Sequence, residues 1–324
     1  MRAFHGRSKT LGAAALTCAA VLTLSACGGG DAGTSAEGDE LSGKVKIDGS
    51  STVAPLTSAA TEFYAEDKAN KVQATVATSG TGGGFKKFCV GETDISNASR
   101  EIKDEEIATC EENNIKYEKF AIANDALSVV VHKDNDWAEC LNLEQLKKIW
   151  EPDSKVNSWK DIDDKFPDEP LKLFGPGTDS GTFDYFTEAI NGEEGASRTD
   201  YSGSEDDNVI IQGVAGSKGG MGYFGFSYYE ENKDKLKLVD IDGGDGCITP
   251  SAETTQDGSY APLGRQLFIY PSDAGLKKPQ VLDFVEYYVE NHAKIAEDAQ
   301  FIPLNDEQEK ELQASLDKLK KAAE

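Results

Sequence analysis

The chain is expected to adopt an α/β fold, and three observations lead to that expectation. Short alternating or β-branched runs are separated by segments of helical character along most of the length, the pattern of sheets covered by helices. Three segments rich in Ser, Thr and Gly, at 48–55, 78–85 and 175–183, each stand between an expected strand and an expected helix. No internal repeat of fixed period is present, which sets aside solenoids and propellers.

Residues 45–47 read as a first strand and 55–69 as the helix after it. Residues 72–77 alternate as a half-buried strand does. A helix over 85–91, a short strand over 94–96 and a helix over 103–113 follow. The β-branched run Leu127-Ser128-Val129-Val130-Val131 marks 121–132 as a buried strand. Residues 143–150 are helical, 171–174 form a strand feeding the third Ser/Thr/Gly segment, and 182–190 the helix beyond it. The polar stretch 191–208 reads as a loop, 209–216 as a short helix, and 222–229 and 263–270 as strands. A long helix over 279–292 and a highly charged helix over 305–323 complete the order.

A Gly-rich turn that opens a helix presents free backbone N–H groups and the positive end of the helix dipole. Neighbouring hydroxyls add rotatable donors. One such segment alone is a helix cap and a turn. Three of them, each at the carboxyl end of a strand, predict a shared site for a small tetrahedral anion.

Charge and cysteine usage narrow the function classes. The 324 residues carry a formal charge of −25. That argues against nucleic acid as a partner, because nucleic-acid binding needs a basic footprint. It does not argue against an anion ligand, since surface charge is screened over about 8–10 Å while donors in a dry cleft act at contact. Arg2, Arg7 and Lys9 followed by the apolar run 11–26 form a secretory signal over 1–26. The run ends in Leu24-Ser25-Ala26-Cys27, similar to the lipobox of bacterial lipoproteins. By that similarity Cys27 becomes a lipidated (palmitate-bearing) first residue, with 27–42 as a flexible tether. Cys89, Cys110, Cys140 and Cys247 remain, an even number suited to disulfides in an exported chain. Of three possible pairings, Cys89–Cys110 and Cys140–Cys247 keep each bond within one lobe of a two-lobed chain. With no CxxC and only three His, no metal site is expected.

Other motifs lose their force on inspection. Gly220-Met221-Gly222-Tyr223-Phe224-Gly225 matches GxGxxG, but its aromatic residues read as strand, whereas a dinucleotide fingerprint sits in a strand-to-helix turn. Residues 80–87 lack the Gly-Lys-Ser/Thr ending of a nucleotide phosphate loop. In Gly177-Thr178-Asp179-Ser180-Gly181 the serine stands one place too late for a hydrolase elbow. His132 and His292 are poorly placed for a triad, and 240–246 fits a calcium loop only loosely. No cofactor and no catalysis are expected.

The combination and order of Gly49-Ser50-Ser51-Thr52, Ser79-Gly80-Thr81-Gly82-Gly83-Gly84, Asp94-Ile95-Ser96-Asn97-Ala98-Ser99-Arg100 and Asp179-Ser180-Gly181-Thr182 resemble the PstS family, the phosphate-binding substrate proteins of bacterial ABC importers. The resemblance runs from about residue 42 to 302. It implies a type II periplasmic-binding-protein fold, with two α/β lobes joined by two crossover strands near 121–128 and 260–268. Lobe one would comprise 43–122 plus 264–324, and lobe two 123–263. The implied phosphate site is Ser51, Thr52, Ser79, Thr81, Ser99, Arg100, Ser180, Gly181 and Thr182. Some family members carry Asp where this chain has Ser99 and Arg where it has Pro176. Arg100 is expected to replace that cation and Asp179 the acceptor for the proton of hydrogen phosphate. The resemblance further implies a monomer on the outer face of the cell membrane, held by its lipid anchor, that hands inorganic phosphate to ABC permease subunits with a cytoplasmic ATPase. Alternatives are a protein for another oxyanion such as sulfate or molybdate, an anion-sensing or adhesion lipoprotein, and a secreted phosphatase or other hydrolase.

Overall fold

The computed structural model describes residues 41–68 and 71–323. The expected signal segment over 1–26, Cys27 and most of the expected tether lie outside them. The elements run β1 (Ser42–Gly49), α1 (Ala54–Lys68), β2 (Lys71–Ala77), α2 (Gly80–Phe88), β3 (Ile95–Ala98), α3 (Asp104–Glu112), β4 (Phe120–His132), β5 (Cys140–Asn142), α4 (Leu143–Trp150) and α5 (Trp159–Ile162). After β6 (Lys172–Pro176), α6 (Gly181–Phe186) continues into a π-helical turn, Thr187–Asn191, followed by β7 (Ser202–Ser204) and α7 (Asp207–Ala215). Then come β8 (Gly220–Gly225), α8 (Phe226–Asn232), β9 (Leu236–Leu238), β10 (Asp240–Asp242), β11 (Cys247–Ile248) and α9 (Ala252–Gln256). The chain ends with β12 (Gly264–Pro271), α10 (Asp273–Leu276), α11 (Pro279–Glu290), α12 (His292–Asp298) and α13 (Asp306–Ala323).

A nine-stranded sheet runs in the order β2-β1-β3-β12-β4-β8-β6-β7, with β9 also on β4. At one end β1 pairs in parallel with β2 and β3, and at the other β6 pairs in parallel with β8 and β7. Between them β12 is antiparallel to both β3 and β4. β4 is a single strand that changes partners midway. Its first half, to Ala126, pairs with β12, and its second half, from Leu127, pairs with β8 and β9.

The core divides where β4 changes partners. Val45, Leu56, Ile95, Phe120, Ile122, Leu267, Phe284 and Leu316 belong to one buried cluster, and Leu127, Val129, Val131, Trp150, Trp159, Phe186 and Tyr223 to another. The run Leu127 to Val131 is buried throughout, which explains why it lacks polar alternation.

Three elements differ from expectation. The Gly-rich run from Gly80 is the first turn of α2 rather than a loop before it. A Cβ on Gly84 would stand 2.5 Å from the Gly49 Cα, so the helix lies on β1 backbone to backbone and admits no side chain there. The aromatic run after Gly220 is a strand only to Gly225, where α8 begins. The GxGxxG match thus lies within β8. The expected helix over 279–292 breaks at Asn291 into α11 and α12. The short strands β5, β7 and β9 to β11 had no periodicity long enough to announce them.

Cys89–Cys110 and Cys140–Cys247 are disulfide-bonded, across sequence separations of 21 and 107 residues. Among the described residues no helix is long and apolar enough to cross a membrane. Replacing Cys89 and Cys110 together by Ser is expected to cost about 3 kcal/mol, the loop-closure entropy of a loop that size. Denaturant unfolding read by circular dichroism checks it, and an unchanged midpoint would contradict it.

Candidate functional site

The carboxyl ends of β1 and β3 and the start of α2 deliver the first two Ser/Thr/Gly segments to one place. Ser50, Ser51, Thr52, Gly80, Thr81 and Ser99 line a cavity of about 10 Å³ together with Asp184, Tyr185, Glu188, Glu194 and Arg265. A larger cavity of about 270 Å³ adjoins it and shares Ser51 and Thr52, with Ser180, Gly181, Thr182, Asp125 and Asp207 also in its wall.

The donor loops are pinned by backbone geometry. Gly49 has φ +142°, and a Cβ there would stand 2.1 Å from the Asn97 carbonyl oxygen. Ser50 N–H donates to that same carbonyl at 3.0 Å. Ser99 N–H donates to Thr81 Oγ1 at 3.2 Å, and the two hydroxyls are 3.0 Å apart. Ser180 caps α6 by accepting from Thr182 N–H at 3.2 Å. Phe186, whose ring stacks on Tyr223 at 3.7 Å, fixes that helix on the core.

Direct contacts join the first segment to the third. Ser51 Oγ donates to Asp184 Oδ2 at 3.0 Å, and Thr52 Oγ1 donates to the Gly181 carbonyl at 3.2 Å. The approach is close enough that a Cβ on Gly181 would lie 2.6 Å from the Thr52 backbone nitrogen.

Arg265, on β12, supplies the positive charge. It stands directly opposite Asp125 in the β12–β4 register and donates from Nε to Asp125 Oδ2 at 3.4 Å. Nη2 donates to Thr52 Oγ1 at 3.0 Å, and the guanidinium lies 3.2 Å from the Tyr185 ring centre. Tyr185 is held in turn by donating to the Pro262 carbonyl at 2.7 Å.

Asp184, Glu194 and Asp125 are held toward their neutral forms. Burial pushes Asp184 up, against the Ser51 hydrogen bond and the Arg265 charge. Burial also raises Glu194, and the neighbouring Asp184 and Glu188 charges add to it. In Asp125 burial outweighs the pull of Arg265.

The expected site residues separate into two groups. Ser51, Thr52, Thr81, Ser99, Ser180, Gly181 and Thr182 are brought to the two adjoining cavities. Arg100 is engaged elsewhere, in a two-pronged pair with Glu106 at 2.8 and 2.9 Å. Ser79 donates through both N–H and Oγ to Asp48. Asp179 is exposed, with its N–H 3.4 Å from Glu205 Oε1, and lines neither cavity. Arg265 and Asp184 were missed. The available signal was a lone Arg in an apolar crossover strand and an Asp two residues past Thr182. Among the described residues no group of three or more His, Cys, Asp or Glu is placed to hold a metal ion.

Comparisons with known proteins bear on the family of the chain and on its fold. Residues 34–292 match the model of the PBP superfamily domain. The chain is 46% identical over 263 residues to protein SphX of Synechococcus elongatus, covering 80% of this chain and 77% of that one. It is 44% identical over 300 residues to phosphate-binding protein PstS of Staphylococcus saprophyticus, covering 92% and 91%. Among solved structures it resembles a possible phosphate-binding protein from Planctomyces limnophilus, with TM-score 0.83 and 44% identity over 86% of this chain and 99% of that one.

Asp207, in the wall of the larger cavity, carries a pH prediction. Burial, reinforced by Asp206 and Glu205, raises its pKa to about 6. The folded state therefore holds a proton that the unfolded state releases near pH 4, and stability falls as pH rises between those values. Asp207→Asn removes that loss. Its gain in melting temperature over the wild type should be absent near pH 4 and reach a few degrees above pH 6, by differential scanning calorimetry. A gain independent of pH would contradict the assignment.

Proposed function

Since the chain belongs to the PstS family of phosphate-binding proteins, we propose that it captures inorganic phosphate outside the cytoplasm and delivers it to the permease of an ABC importer. The observation that carries this reading is the convergence of Ser51, Thr52, Thr81 and Ser99 with Arg265 around one small cavity. Such a site can clasp a tetrahedral oxyanion with hydroxyls, with backbone N–H groups at the start of α1 and α2, and with one guanidinium. The reading is one of binding without turnover, in keeping with the phosphate-binding proteins that the chain resembles.

The two largest buried clusters, which follow these bounds except at Ala123 and Ile302, support two lobes, 43–122 with 264–324 and 123–263, flexing about β4 and β12. The Ser51–Asp184 and Thr52–Gly181 contacts then belong to the closed form, and a ligand held between the same residues shifts the balance toward it. Asp184, rather than the exposed Asp179, is the acceptor suited to the proton of hydrogen phosphate. A half-buried carboxylate facing sulfate meets a like charge and gains no hydrogen bond, which discriminates better than size does. Lipidation at Cys27, a tether that ends before β1 begins at Ser42, and a monomeric state complete the proposal. A lipoprotein on the outer face of the cell membrane keeps captured phosphate within reach of the permease.

Calorimetric titration of the ligand-stripped domain with phosphate and then sulfate tests this reading. One-to-one phosphate binding without a sulfate response is expected, and no phosphate binding would overturn it. In the same series Arg265→Met should weaken phosphate about 10–100-fold, the worth of a charged hydrogen bond. Asp184→Asn should narrow the phosphate-over-sulfate preference.

Closure has its own test. Gly181→Ala places a methyl against the Thr52 backbone, which cannot swing aside as a side chain could. Phosphate affinity should fall about 5- to 150-fold, the cost of 1–3 kcal/mol of overpacking at a close contact. The ligand-free melting temperature should change little, and undiminished affinity would mean that the lobes need not meet here.

A further inference from the structure

The ligand site depends on a carboxylate that does not line it. Asp48 is the next-to-last residue of β1, just before Gly49, and its side chain is 5% exposed. Oδ1 accepts from Gly49 N–H at 2.8 Å, from Ser79 N–H at 3.0 Å and from Ser79 Oγ at 2.8 Å. Oδ2 accepts from Lys87 Nζ, near the end of α2. One side chain therefore ties the first donor loop, which starts at Gly49, to the second, which starts at Ser79. Thr81, two residues on, is fixed against Ser99.

We propose that Asp48 and Lys87 are a positioning pair for the anion site. Asp48 locks the two donor loops together, and Lys87 cancels the charge that this buried carboxylate would otherwise direct at the bound anion. The proposal rests on the phosphate reading above. A neutral side chain at position 48 could not be held by Lys87 through an ion pair. A bare carboxylate there would repel the ligand across a poorly screened interior. The neighbours of Asp48 on the sheet are uncharged. Ala77 of β2 and Ser96 of β3 stand opposite it in register, so Lys87 of α2 is the charged group that acts on it. Burial alone would raise the Asp48 pKa, but the Lys87 and Ser79 hydrogen bonds and the Lys87 charge outweigh it and hold the group below the usual carboxylate range. Taking Lys87 away removes the largest opposing contribution and lets burial act.

The test is phosphate titration of the wild type, Asp48→Ala, Asp48→Asn, Lys87→Met and the Asp48→Asn/Lys87→Met double variant, from pH 5.5 to 8.5. Each affinity is divided by the wild-type value at the same pH, so that the titration of phosphate itself cancels. Asp48→Ala should lose about 10–100-fold, as buried N–H donors are left unpaired. Asp48→Asn should recover most of that, because its amide oxygen still accepts from Gly49 and Ser79. Lys87→Met should be weakest at high pH, and its deficit should shrink as the pH falls and Asp48 takes up a proton. The double variant should abolish that pH dependence. A Lys87→Met deficit equal at every pH, or one that the second substitution fails to relieve, overturns the charge-cancelling role. Amide hydrogen exchange of the ligand-free protein reads the positioning role separately. Exchange at residues 79–81 should rise in Asp48→Ala and not in Asp48→Asn, and equal protection in all variants overturns that role. If the wild type binds no phosphate the functional reading fails, whereas wild-type binding with unperturbed variants sinks the pair alone.

Discussion

The antiparallel pairing of β4 with β12 is the constraint on which the rest of the molecule depends. β4 spends its first half against β12 and its second against β8 and β9, so one continuous strand anchors the two largest hydrophobic clusters. The same pairing sets Asp125 and Arg265 face to face across the ladder. A buried ion pair is weak evidence of stability, since removing two charges from water offsets most of their attraction. Its value here is placement. Asp125, the Thr52 hydroxyl and the Tyr185 ring fix the plane of the guanidinium, and Arg265 lines the small cavity in that plane. A guanidinium has five N–H donors in a rigid fork, more than those partners consume.

Around that fixed charge, the donor loops are positioned by the backbone more than by side chains. Gly49 approaches the Asn97 carbonyl and Gly84 approaches Gly49 at distances that exclude any Cβ. β1, β3 and α2 therefore meet main chain to main chain, and the residues just beyond their ends fall together as a consequence. The glycines of these segments act through close packing at 49 and 84. Gly181 does the same across the cleft, where its lack of a side chain lets α6 reach Thr52. Flexibility is not what these positions supply; they supply proximity, which converts three unremarkable helix starts into one site.

Much of this was legible in the sequence because it is local. The strand-turn-helix order around Ser51, Thr81 and Ser180 follows from propensity and hydrophobic pattern, and the buried run Leu127 to Val131 announces a central strand. What escaped was the long-range pairing. Arg100 looks like the natural cation because it adjoins Ser99, but Glu106, three residues after the start of the capping segment of α3, claims both its prongs. Ser79 looks like a ligand donor until Asp48, 31 positions earlier, takes its hydroxyl and its N–H. Arg265 is 213 positions from Thr52, and nothing in the local pattern of β12 shows which residue it meets. Asp179 adjoins Ser180 in sequence, but the turn points it to the surface, while Asp184, one helical turn further, faces the cleft.

The electrostatics resolve an apparent contradiction. The chain carries a charge of −25, and Asp184, Glu188 and Glu194 all line the small cavity with Arg265. Bulk charge is screened within about 8–10 Å at ordinary ionic strength, so it does not decide binding at contact distance. On the proposed reading the three carboxylates do. Against a fully ionised anion they repel, and burial together with their mutual repulsion already holds Asp184 and Glu194 toward the protonated form. An anion that brings its own proton relieves that conflict by donating to one of them. The Ser51 hydroxyl makes the exchange possible: it now donates to Asp184, and by rotating it can donate to a ligand oxygen instead. On the proposed reading Asp184 is then free to accept the ligand's proton, so the groups that join the first segment to the third are the ones that read the protonation state of the bound anion.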